Sequence, residues 1–352
     1  MAAPAPKPAP MPQRKRIEIA VSFLAVVAVP VLAAIALGFH SFAFYGLLGA
    51  ALALVLGMPM AMSVSIPAAL LTGLAVLVTL LLGKEPLPLA TWMGAIALVV
   101  GLVSIRGYHR AATLVAVSAT MFIARTVPDG EVLASALMFT AGALYGAVAA
   151  GLLRHGPPAP RRHFDVPTAL LYGVLLACLV SIATGVTVAL DLPHGYWAVL
   201  AIFIVGQPVA GTRGRTTKRA TAVIISVAAS LVIVQFVHTQ AGYTIIVALC
   251  VACAAYQATS TRRYLITAFL SVAMILSSAA GSTDAAESTA VLRFILNILA
   301  ISATVAVAAT VSWVIGHRDA GTAASRVAGI AAVGPPPAPG TGPGPGEGAA
   351  PA

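Results

Sequence analysis

The residues best suited to chemistry in this chain lie in one stretch. His194-Gly195-Tyr196-Trp197 is followed by Gln207-Pro208, and then by Arg213, Arg215, Lys218 and Arg219. The aromatic pair offers flat apolar faces. Pro208 frees a backbone carbonyl, which a membrane tolerates only where protein or water satisfies it. Four cations beside a helix start gather anions, and arginine is the better clamp for a carboxylate. Thr216 or Thr217 is the expected cap of the helix that follows. Farther on, Arg293 and Asn297 stand four positions apart and share a helix face. An arginine inside a bilayer needs a partner or a watery cavity; Glu287 or Asp284 could pair with Arg293, and the plain alternative is that it snorkels to the outer interface. These residues sketch a path for an organic anion. The inner cations would gather it, Tyr196 and Trp197 would touch its apolar body, and Arg293 would neutralise it. The plain alternative makes the aromatics an interfacial belt and the cations topology signals.

Little else in the sequence points to chemistry. There is no hydrolase, kinase or zinc pattern, and the histidines fall at the ends of apolar runs without metal-ligand spacing. Asp284 and Glu287 lack the second acidic cluster that a magnesium–diphosphate site would need. No catalytic residue, metal or cofactor is therefore expected. Cys178, Cys250 and Cys253 sit in apolar runs and are expected to be small packing residues, not a redox pair. No carboxylate lies well inside any apolar run, so the usual proton relay is missing; His194 is the one substitute beside the aromatic pair.

The elements that must position these residues are membrane helices. Of 352 residues, 20 are Lys or Arg and 10 are Asp or Glu, and mean hydropathy is +0.99. So few charges could not wet a soluble protein of this size. The sequence predicts an all-α membrane protein with about 12 spans, near 19–38, 42–60, 64–83, 88–105, 111–127, 131–153, 167–190, 196–210, 220–238, 242–258, 264–280 and 290–316. Segments 1–18 and 317–352 read as disordered tails, the second rich in Pro and Gly.

Charge placement supports this count. With the N-terminus in the cytoplasm, 17 of the 20 cations fall inside, leaving Lys84, Arg125 and Arg293 outside. The net charge of +10 then reflects topology and no nucleic-acid partner. An internal echo divides the spans into two parallel six-helix repeats. Tyr108 to Glu131 and Tyr264 to Glu287 have equal spacing, and Tyr45…Gly57-Met58-Pro59 parallels Tyr196…Gly206-Gln207-Pro208. The halves are residues 19–153 and 167–316, joined by a cytoplasmic linker at 154–166. Duplicated halves with a site between them are a common transporter plan.

The order Tyr-Trp-Ala, then Gln-Pro, then Gly-Thr-Arg…Lys-Arg resembles the fusaric acid resistance family of bacterial membrane proteins, the integral membrane bound, aromatic acid exporter type. Arg215, Arg219 and Arg293 match arginines that recur in that pattern, and the resemblance covers about residues 180–316. Ala220-Thr221-Ala222 stands where family members usually carry glycine, and no large cytoplasmic domain separates the halves. The resemblance implies export of small, often aromatic, organic anions across a bacterial inner membrane, with both termini cytoplasmic. Related plant malate channels suggest a passive anion path as the alternative.

The expected partners are the lipid bilayer, a small organic anion and a second copy of the chain. A rival reading is a non-transporting membrane subunit that binds a cell-envelope partner, with the Gly142-Ala143-Leu144-Tyr145-Gly146 packing pattern and the two tails in its favour. A major facilitator carrier shares the twelve spans, but its basic, Asp-containing loop is absent from the uncharged stretch 57–67.

Overall fold

The computed structural model describes residues 13–38, 42–123, 127–154, 157–161, 163–205, 212–237 and 290–306, with single positions between 246 and 288. Among the described residues the chain is all helical, with helices at the first nine expected positions. These are α1 (Gln13–Ala36), α2 (Ala43–Gly57), α3 (Met62–Leu82), α4 (Pro86–Ser104), α5 (His109–Thr120), α6 (Val132–Leu153), α7 (Val166–Ala189), α8 (Tyr196–Val205) and α9 (Thr212–Phe236). A further helix runs Ala290–Ala306. Four of them, α3, α4, α6 and α7, are long and apolar enough to cross a membrane by themselves. Most of the expected tenth and eleventh spans lies outside the described residues, as do 1–12 and 317–352 of the expected tails; residues 13–18, expected to be disordered, instead form the start of α1, where Arg14 and Glu18 pair one turn apart at 3.2 Å. The helices above belong to one compact unit, Met1–Val305.

Lipid tails give helices no hydrophobic reason to associate, so close backbone contact must hold them together. The sequence provides that contact with small residues. α6 lies along α2, where Gly142 meets the Gly46 carbonyl and Gly146 meets the Ala50 carbonyl; a Cβ at either glycine would collide with that backbone. α4 lies along α7 in the same way, with Gly101 against Gly173 and Gly94 against Ser181, whose hydroxyl donates to the Ala90 carbonyl at 2.9 Å. The Gly142–Gly146 pattern thus works inside the chain, between α6 and α2. The α4–α7 pairing also joins the first expected half directly to the second.

Hydroxyls in apolar helices must find acceptors locally. Thr72, Thr79, Thr113, Thr120 and Thr140 each donate to the carbonyl one turn back, at 2.6 to 2.8 Å. This explains how threonine hydroxyls persist inside these apolar helices, and it leaves the Thr79 oxygen free to accept from Trp92 Nε1 on α4 at 3.0 Å.

α5 departs from expectation. It ends at Thr120, well short of 127, through tightened turns in which Phe122 and Ile123 donate to carbonyls three residues back. The tightening turns Phe122 inward, where it stacks on Tyr45 (5.7 Å) and meets Phe139 edge-on (5.1 Å). At about 1.5 Å per residue, α5 is too short to span a bilayer. The cysteines also divide: Cys250 is buried, as a packing residue should be, whereas Cys178 and Cys253 face outward; all three are free thiols.

The linker after α6 is anchored to the ends of other helices. The Arg154 guanidinium donates to the Met60 carbonyl, the Ala159 amide to Pro59, and the Phe164 amide to Ser104. Asp165 then caps α7, accepting from the Thr168 amide (3.1 Å) and hydroxyl (2.8 Å). Those two donors hold the exposed Asp165 carboxyl below its ordinary range.

Candidate functional site

α8 begins as a segment with no polar face. Tyr196 through Phe203 are all buried in succession, so protein surrounds this helix on every side. It packs against α5, α7 and α9. Trp197 is only 1% exposed. That places the aromatic pair in the protein interior, where it does not form a lipid-facing belt.

The turn into α8 is unusual. Asp191 (φ 45°) and His194 (φ 60°) both adopt left-handed backbone, which Asp and His tolerate better than most residues. The His194 carbonyl accepts the Trp197 amide at 3.0 Å, and the His194 ring stacks on the Trp197 indole (4.7 Å, 15° between planes). Tyr196 meets the same indole edge-on at 5.6 Å. Lys84 reaches Asp191 at 3.4 Å and ties the α3–α4 turn to this one; both side chains are well exposed, so the pair adds little stability.

Arg293 stands in the first turn of the Ala290–Ala306 helix and is 3% exposed. Its guanidinium lies over the Trp197 ring, 4.4 Å from the centroid, and Nη2 donates to Ser271 Oγ at 2.8 Å. Asn297, also buried, donates from Nδ2 to the Arg293 carbonyl at 2.8 Å, so the two do share a face. A desolvated cation over an indole is held by the negative face of the ring. Trp197 Nε1 is buried without a hydrogen-bond acceptor among the described residues. The site therefore presents a cation and an indole donor, inside an apolar shell. Such a set complements an anion with an aromatic or apolar body.

The structure thus brings together Tyr196, Trp197, Arg293 and Asn297. Gln207 and Pro208 lie outside the described residues, as do Arg125, Asp284 and Glu287, and with the last two the expected carboxylate partner of Arg293. Arg213, Arg215, Lys218 and Arg219 lie on α9, whose backbone alone is described there. One expectation changes. α9 already begins at Thr212, so Thr216 and Thr217 fall inside the helix and are not its caps. The cations occupy the first two turns of α9, where the helix dipole is positive. Ser271 was missed by sequence reasoning. The available signal was weak: Ser271 is one of several hydroxyls in the apolar run 264–280, of the kind that satisfies a buried donor across a helix interface.

All of these positions except Arg125 fall within one family match. Residues 176–307 match the fusaric acid resistance protein-like family. The matched segment runs from α7 through the Arg293 helix, close to the 180–316 expected from motifs. The likeness belongs to that segment alone, and the four helices long and apolar enough to cross a membrane agree with a membrane-embedded, multi-pass chain. The fusaric acid resistance-like segment includes Trp197, Ser271, Arg293 and Asn297, while α1 to α6 lie outside it. No curated protein and no solved structure matches the chain.

Proposed function

We propose that the protein exports small hydrophobic or aromatic organic anions across a bacterial inner membrane, with both termini cytoplasmic. One observation carries the reading: Arg293 is buried, stacked on Trp197 and held by Ser271, beside an indole N–H that has no acceptor among the described residues. Burying a guanidinium in a membrane protein is costly and is retained where the charge has work to do. Anions would collect at the basic start of α9, pass beside α8, and be paired transiently by Arg293. The protein would perform no covalent chemistry on its cargo and would need no cofactor.

The test is flux. Purified full-length protein in liposomes should release trapped labelled benzoate faster than protein-free liposomes, and should leave neutral benzyl alcohol retention unaffected. Efflux by cells that carry the gene should exceed that of a deletion strain, which fixes direction. Liposomes that hold benzoate as tightly as empty ones would refute transport.

A further inference from the structure

A second feature lies outside the family match, in the first part of the bundle. α3, α4 and α5 enclose an apolar groove of about 620 Å³. Its walls run from Ser63 to Ala75 on α3 and from Val103 back to Trp92 on α4. Leu71, Leu74 and Val99 on the rim are half or more exposed, so the groove opens sideways, toward lipid. Its polar end is formed by Tyr108 and Arg161. Arg161 donates to the Tyr108 hydroxyl at 2.7 Å and lies over the same ring at 4.4 Å. Neither ion pair among the described residues involves Arg161, and Tyr108 takes only part of its donor set. At the other end, Trp92 is oriented by donating Nε1 to Thr79 at 3.0 Å.

The dimensions choose the occupant. The twelve steps from Ser63 to Ala75, at about 1.5 Å each, make the groove about 18 Å deep. One leaflet of a bilayer core is about 15 Å thick. A cation at the headgroup level, a leaflet-deep apolar channel and a lateral opening fit one molecule: an anionic phospholipid of the Arg-rich leaflet. We infer that this groove binds such a lipid, with one acyl chain between α3, α4 and α5 and its phosphate on Arg161. Tyr108 is the positioning residue that fixes the guanidinium. Pro67, inside α3, lies on the groove wall. This inference stands apart from transport and does not need it.

The experiment uses purified full-length protein in phosphatidylcholine vesicles with graded amounts of brominated phosphatidylglycerol. The difference in fluorescence quenching between the wild type and Trp92→Phe isolates the signal of Trp92. That signal should fall to half at a several-fold lower mole fraction of brominated phosphatidylglycerol than of brominated phosphatidylcholine. Arg161→Gln should raise the phosphatidylglycerol value about fivefold. Ala95→Phe, which fills the groove from an exposed wall position, should remove the saturable component while leaving helix content unchanged. Equal quenching by the two lipids, an Arg161→Gln value equal to wild type, or full quenching of Ala95→Phe would each overturn the inference. Competition by millimolar soluble glycerol phosphate would also overturn it, because it would identify a free anion as the ligand. If Arg161→Gln failed to fold, the comparison of lipids and the Ala95→Phe variant would still decide.

Discussion

Arg293→Gln removes a charge and keeps much of the side-chain volume, so it separates pairing from packing. A hydrogen bond to a charged group contributes about 1.5–3 kcal/mol. If Arg293 pairs with the cargo, losing it should weaken anion binding by about 10- to 100-fold, since each 1.4 kcal/mol is tenfold. A desolvated cation–π contact adds about 2 kcal/mol to the hold of Trp197 on the guanidinium. Arg293→Lys keeps the charge and loses the planar fork, so it should recover only part of the activity. The assay is initial efflux of labelled benzoate from proteoliposomes at several internal concentrations. We expect the half-saturating concentration to rise by about 10- to 100-fold in Arg293→Gln and less in Arg293→Lys. Melting temperature serves as the control. Removing a buried charge relieves a desolvation penalty, so Arg293→Gln should melt within a few degrees of wild type. Benzoate efflux by Arg293→Gln within twofold of wild type would refute the pairing role. So would equal losses in Gln and Lys variants that also melt early, because that pattern belongs to packing alone.

Four further outcomes follow from the same geometry. Arg215→Ala should abolish benzoate export while membrane insertion, read by fractionation and western blot, stays normal. Trp197→Phe keeps a ring and loses both the indole donor and part of the cation–π attraction, so affinity for benzoate should drop several-fold, at about 1 kcal/mol. Gly146→Leu should drive a side chain into the Ala50 carbonyl and lower the melting temperature, at a cost of about 1–3 kcal/mol, whereas Gly130→Ala, with open space around it, should be neutral in the same scan. Asp165→Ala should destabilise α7 at neutral pH. Because the folded carboxyl titrates below its unfolded value, its contribution is complete above the unfolded pKa and vanishes as pH falls through the folded one. The melting gap between wild type and Asp165→Ala should therefore close on acidification below the ordinary carboxylate range, and a gap that widened there would contradict the capping role.

What the sequence made legible, and what it hid, divides along a physical line. The helices were legible because lipid imposes a length and an apolar composition on every span, and those read directly from the chain. Arg293 and Trp197 were legible as candidates because a charge or an indole inside an apolar run is expensive and therefore conspicuous. Their meeting was not legible. It depends on a left-handed turn at His194 and on Ser271, a residue too ordinary in an apolar run to announce a partner almost a full span away. The early end of α5 was hidden for a similar reason. Residues 121–123 are as apolar as the helix before them, and only the pull of Tyr45 and Phe139 on Phe122 decides that the backbone tightens there. α9 erred in the opposite sense. Gly-Thr-Arg-Gly-Arg reads as a loop by glycine and charge content, yet the helix begins at Thr212, which puts four cations on the end of a helix that repels them. Such an arrangement costs energy unless something negative visits. The same argument applies to the buried Arg293, and the anionic cargo proposed above would offset both costs in turn.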